Sequence, residues 1–148
     1  MIAVVVSDVP GHPVELVASG PHAGADVTLL ASSPESAVEA AVAEGAKRGA
    51  RLVALPRIVS GEARIEGPRF VREARELTER VDADGAMACG ETTVVVRGRE
   101  RGGRNHEAVL ATLIAGGDIG GTFVALGTDG KDGTSDAAGA WCDDALRA

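Results

Sequence analysis

Tyrosine is absent from this 148-residue chain, and the other aromatic residues amount to Phe70, Phe123 and Trp141. A core of that composition is built from Val, Leu, Ile and Ala, and a platform on which nucleobases stack is excluded. Cysteine is almost as scarce. Cys89 and Cys142 show no repeated spacing, so neither a disulfide framework nor a zinc site is written into the chain. Cys89 follows an apolar run and is expected in the core, while Cys142 lies near the terminus. No apolar run approaches the ~18 residues of a membrane span, and the opening Met1-Ile2-Ala3-Val4-Val5-Val6 is too short and lacks the basic flank of a signal peptide. A net charge of −7 and a pI near 4.9 argue against nucleic acid and anionic membrane as partners, because both repel an acidic surface. A reduced, cytoplasmic protein is expected.

What the chain does have is alternation. Its length suits one domain over residues 1–148, enough to bury about two-thirds of the unfolded surface. Ile2 to Val6, Val27 to Ala31, Leu52 to Leu55, Ala86 to Cys89, Thr92 to Val96 and Thr122 to Leu126 read as strands, with a long Gly/Pro-rich loop from Asp8 to Asp26. Ser33 and Pro34 open a helix that stops at Gly49. Gly67-Pro68 opens a second, with Phe70, Val71, Ala74, Leu77 and Val81 on its core face and Arg72-Glu76 and Arg75-Glu79 pairs on the other. A third follows Asn105, a residue suited to capping it. Strand and helix in turn predict an α/β fold, a three-layer α/β/α domain around a mostly parallel sheet of five to six strands, with Gly90 marking a bend where an antiparallel element fits.

Two glycine-rich, charged segments stand out, each following a β-branched run, and loops at strand ends are where α/β domains bind ligands. The first runs from Arg97 to Glu107. Arg99, Arg101 and Arg104 crowd the positive end of the third helix, where cations are unfavourable by roughly 0.3–1 kcal/mol each unless an anion sits among them. Gly98, Gly102 and Gly103 leave backbone N–H groups free to complete an anion site. The Gly98-x-x-x-x-Gly103-Arg104-Asn105 spacing has the outline of a Walker A loop, yet Arg and Asn replace its Lys and Ser/Thr, so a P-loop is rejected. A solvated basic turn has the same composition. The second segment, Gly127 to Asp136, sets Asp129, Asp132 and Asp136 among glycines, a density that suits Mg²⁺ shared with substrate phosphates. The same residues also serve as caps of turns and of a helix beginning near Ser135.

Six segments in order resemble the glycerate 2-kinase family with its MOFRL domain, some members of which are called hydroxypyruvate reductases. They are Ser7-Asp8-Val9-Pro10-Gly11, Ala18-Ser19-Gly20-Pro21, Gly61-Glu62-Ala63-Arg64, Gly90-Glu91-Thr92-Thr93-Val94, Arg97-Gly98 with Arg101-Gly102-Gly103-Arg104-Asn105-x-Glu107, and Thr128-Asp129-Gly130-x-Asp132-Gly133-x-x-Asp136-Ala137-Ala138-Gly139-Ala140. The resemblance is to the core of the family's C-terminal part. It implies ATP- and Mg²⁺-dependent phosphorylation of D-glycerate, with Arg104 and Glu91 catalytic. By the same resemblance Asp8, Ser19, Gly98, Arg99, Arg101, Gly102, Gly103, Asn105 and Glu107 are expected to bind substrate or phosphate, and Asp129, Asp132 and Asp136 to hold the metal. Where the family usually has Gln, this chain has His106. The family's catalytic lysine lies in an N-terminal domain, and neither Lys47 nor Lys131 matches it. The resemblance therefore implies an anionic small-molecule substrate and either a lysine-bearing partner domain or a homo-oligomer, with little activity from this chain alone. A non-catalytic phosphate- or glycerate-binding module is the alternative. A dinucleotide reductase needs G-x-G-x-x-G after the first strand, and Ser7 to Gly11 does not supply it.

Overall fold

The computed structural model describes residues 2–6 and 26–147. Residues 8–25 of the expected loop, with the expected ligand residues Asp8 and Ser19, lie outside the described residues. The element order is β1 (Ile2–Val6), β2 (Val27–Ser32), α1 (Pro34–Lys47), β3 (Leu52–Ala54), β4 (Val59–Glu62), α2 (Ala63–Val81), β5 (Gly85–Met87), β6 (Gly90–Thr93), α3 (Arg104–Ala115), β7 (Thr122–Leu126), β8 (Gly139–Asp143) and a closing 3-10 turn (Asp144–Arg147). The α/β class holds, and pairing is mostly parallel: β1 with β2, β3 with β5, and β4 with β6 run parallel, while β7 and β8 are antiparallel. Among the described residues these eight strands bond two by two rather than as one continuous ladder.

The start of α1 is fixed locally. The Ser33 hydroxyl accepts from the Ser36 N–H at 3.3 Å, and the Ser36 hydroxyl accepts from the Ser33 N–H at 2.9 Å, a reciprocal cap with Pro34 at the first helical position. Three expectations are corrected. First, α2 starts at Ala63, with Pro68 inside it. The chain leaves the β4–β6 ladder directly into the helix, and Glu66 is buried there between Arg57 at 2.7 Å and Arg69 at 3.2 Å. Of the surface pairs on this helix, Arg75–Glu79 forms at 3.8 Å, and Arg69 rather than Arg72 carries the stronger link, to Glu73 at 2.7 Å. Second, Gly90 is no bend but the first residue of β6, paired in parallel with Val59; the strand ends at Thr93 and leaves Val95 and Val96 exposed. Third, no helix begins near Ser135; the chain there turns into β8.

The core lies where α2, α3 and the β7–β8 pair meet. Val109, Ile119, Phe123 and Cys142 are buried together, with Phe70, Val71 and Leu113 against them. Phe70 and Phe123 stack at 5.4 Å between ring centroids, so two of the three aromatic residues do core work. Cys89, expected in the core, is only partly buried, whereas Cys142 is fully buried. At the crossing of α2 and α3, Gly67 faces the backbone of Ala108 so closely that a Cβ there would lie 2.2 Å from its carbonyl oxygen. Among the described residues no helix is long and apolar enough to cross a membrane.

Candidate functional site

The two glycine-rich segments fold against each other at the start of α3. The Thr134 N–H donates to the Gly102 carbonyl at 3.0 Å, the Gly102 N–H donates to the Thr134 hydroxyl at 3.3 Å, and Arg101 Nε donates to the Thr134 carbonyl at 3.3 Å. The approach leaves no room for side chains. A Cβ on Gly103 would lie 2.5 Å from Asp132 Oδ1, and one on Gly133, where φ is +58°, would lie 2.3 Å from the Gly102 carbonyl oxygen.

Asp132 is the centre of this contact and is 2% exposed. Its Oδ1 accepts from the Asn105 N–H at 3.1 Å, and its Oδ2 accepts from the His106 N–H at 2.8 Å and lies 2.5 Å from His106 Nδ1. The anion expected at the positive end of this helix is therefore one of the chain's own carboxylates. Burial alone would raise the Asp132 carboxyl; the hydrogen bonds from the His106 ring and from the His106 and Asn105 N–H groups hold it below the ordinary aspartate value. Asn105 is not the N-cap. Gly103 holds that position, Asp132 supplies the capping oxygens, and the Asn105 amide instead donates to the Ala138 carbonyl at 3.3 Å.

The arginines separate. Arg101 is bound to Asp136 at 2.6 Å, and Arg104, the first residue of α3, meets Glu91 of β6 at 3.1 Å. Arg104 remains 41% exposed and Glu91 65%, so this pair is open to a competing anion. Arg99 and Gly98 lie in the exposed part of the loop, and among the described residues Arg99 has no ion pair. Glu107 closes the first helical bond, its N–H donating to the Gly103 carbonyl at 3.0 Å, and its carboxylate lies at the positive end of the helix. The structure thus gathers Glu91, Arg101, Gly102, Gly103, Arg104, Asn105 and Glu107 around one helix start.

It does not gather the three aspartates. Asp132 is committed to protein donors, Asp136 to Arg101, and Asp129 accepts from the Lys131 N–H at 3.1 Å in a tight turn. Among the described residues no three His, Cys, Asp or Glu side chains stand together as a metal set. A carboxylate that already accepts three protein hydrogen bonds has little left to offer Mg²⁺, so the expected ligand set does not fit the ion, and we assign no magnesium step to it.

Sequence reasoning missed two features. His106 was noted only as a departure from a family pattern, and its spacing of 26 residues from Asp132 carries no local signal. The other is a concavity of about 450 Å³ at the C-terminal ends of β3 and β5, lined by Glu35, Val38, Leu55, Arg57 and Cys89. Among the described residues, none of the expected site residues lines it. Burial, with Glu35 nearby, pushes the Cys89 thiol above its ordinary value.

The geometry defines an α/β domain whose charged residues collect at the start of one helix. The comparisons define the family. Residues 85–148 match the MOFRL family. The chain is 51% identical over 51 residues to the D-glycerate 2-kinase of Thermotoga maritima, covering 34% of this chain and 12% of that protein. It is 31% identical over 116 residues to the glycerate 2-kinase of Pyrococcus horikoshii, covering 75% and 26% respectively. A solved glycerate kinase structure from Thermotoga maritima superposes with a TM-score of 0.77 at 26% identity, over 96% of this chain and 44% of that one. The resemblance to the glycerate 2-kinase family is borne out, with residues 85–148 as its MOFRL segment, and the chain spans less than half the length of these relatives.

Proposed function

We propose that this chain supplies the anion-binding wall of a site that transfers a phosphoryl group from ATP to the 2-hydroxyl of D-glycerate. The observation that carries the reading is the Arg104–Glu91 pair at the start of α3: a guanidinium positioned by the helix and held by one exposed carboxylate, which an incoming carboxylate or phosphate can replace. Phosphoryl transfer depends chiefly on positioning and on stabilising charge, and an arginine so placed supplies both. A lysine is the other cation expected for the reaction. Lys47 is paired with Glu44 on α1 at 3.4 Å, and Lys131 sits beside the Asp129 turn. The proposal therefore includes a lysine-bearing domain or second copy completing the site. A binding module without turnover is the second reading, favoured by the same placement of the lysines.

A thermal-shift titration tests the site. Phosphate, D-glycerate and ATP are each expected to raise the melting temperature more than chloride at matched ionic strength; a ligand at a hundred times its Kd adds about 2.7 kcal/mol. Arg104→Ala is expected to remove most of that gain. Equal shifts for phosphate and chloride, or an unchanged gain in the variant, would sink the reading.

A further inference from the structure

The imidazole of His106 is held more firmly than binding an anion requires. Asp132 Oδ2 accepts from the backbone N–H of His106 and also contacts its ring Nδ1, so one oxygen grips a single residue at two points. The carboxylate itself is buried and fixed by its second oxygen on the Asn105 N–H. An ionised carboxylate only accepts, so Nδ1 carries the hydrogen, and a ring with its one hydrogen there presents Nε2 as an acceptor. The His106 side chain is 35% exposed, and among the described residues Nε2 has no protein partner. A ring whose tautomer and direction are set by a buried carboxylate is the arrangement in which histidine takes a proton from an attacking hydroxyl. Arg104 stands two residues earlier at the same helix start.

We propose that His106 Nε2 accepts the hydroxyl of the bound hydroxy acid and takes its proton as transfer begins, with Asp132 as the positioning residue. The inference rests on the function proposed above. In the step, the substrate O–H bond gives its proton to Nε2 while an oxygen lone pair forms a bond to the γ-phosphorus of the nucleoside triphosphate. The bond from that phosphorus to the bridging oxygen breaks, the nucleoside diphosphate leaves with its electron pair, and the imidazolium, stabilised by Asp132, returns the proton to water.

Two measurements on the purified chain test it. Nitrogen-15 spectra of the imidazole are expected to show the Nδ1-protonated tautomer in the wild type and loss of that preference in Asp132→Asn; an Nε2-protonated ring in the wild type overturns the inference. Calorimetry is expected to show D-glycerate binding about tenfold more tightly than 3-hydroxypropanoate, which lacks the 2-hydroxyl, as one well-made hydrogen bond allows. His106→Ala is expected to bind both alike, at the affinity of the analogue. If the wild type binds D-glycerate but His106→Ala keeps the preference, the inference falls and the functional reading stands. If the wild type binds neither acid, the functional reading falls and takes the inference with it.

Discussion

Asp132→Ala is expected to lower the melting temperature by roughly 6–12 °C, from a loss of about 3 kcal/mol at 2–4 °C per kcal/mol for a chain of this size. The cap is the acceptance of the Asn105 and His106 N–H groups, and leaving buried donors without a charged acceptor costs about 1–3 kcal/mol, here at the upper end because the His106 ring loses the same partner. The whole effect falls on one residue because the carboxylate serves Asn105, His106 and the His106 ring together. Asp132→Asn keeps an acceptor but not the charge and is expected to lose about half as much. Acid provides an independent check. The Asp132 and Glu73 carboxyls are both held below their ordinary values of 3.8 and 4.5. For Glu73, burial acts the other way and is outweighed by its hydrogen bonds to Arg57 and Arg69. A carboxyl lowered in the folded state contributes stability that is present above the unfolded value and is lost as pH falls through the folded one. Melting temperature is therefore expected to hold from neutrality down to about pH 5 and to drop below about pH 4, with a smaller drop in Asp132→Asn. A melting temperature unchanged by Asp132→Ala would mean that another group caps α3.

Gly67→Ala is the second large effect, and its sign is decided by magnitude. Alanine is favoured over glycine inside a helix by about 1 kcal/mol, so propensity alone predicts a gain. The new Cβ, however, would lie 2.2 Å from the Ala108 carbonyl oxygen, 2.8 Å from its carbon and 2.9 Å from its Cα. All three are backbone atoms, so no rotamer change relieves the contact; α2 and α3 must separate, disturbing the cluster of Phe70, Val109 and Phe123 beside them. Overpacking that moves backbone costs typically 1–3 kcal/mol and occasionally more. Against the gain of about 1 kcal/mol, a net loss of about 1–2 kcal/mol is expected in thermal or urea melts, because rigid backbone puts this contact at the upper end of that range. Gly45→Ala is the control: its Cβ would meet the end of the Leu52 side chain, which can turn aside. If Gly67→Ala melted no lower than Gly45→Ala, the close helix crossing would not be the constraint described.

The elements legible in the sequence are those whose signals are local. Ser33, Pro34 and Ser36 lie within four residues, and α1 begins where they say. Gly67-Pro68 carries an equally clear local message, and it misleads. A proline costs least in the first turn, where N–H groups have no helical partner, and Pro68 sits beyond it. Tertiary contacts outweigh the proline: Ala63 is fully buried, Glu66 is paired with Arg57 of the preceding loop, and Gly67 packs on the backbone of Ala108, far along the chain. The candidate site divides in the same way. Composition marked both glycine-rich loops and the helix dipole beside the first, and Arg104 and Glu91 do come together. Composition does not reveal which of three nearby aspartates turns inward, and the difference between a metal ligand and a helix cap is a difference in direction. His106 shows the same limit, since its meaning lies in a partner 26 positions away.

The capping of α3 from the second loop also sets an order of events during folding. Arg104 to Ala115 can begin to coil as soon as it is made, but its first turn stays open until the chain has reached Asp132 and the strands flanking that loop, β7 and β8, have paired. Closing a loop of that length costs entropy before any contact repays it. On the ribosome, the start of α3 is therefore finished late, and so is the histidine it carries: the helix can exist early, but its chemistry arrives only with the hairpin.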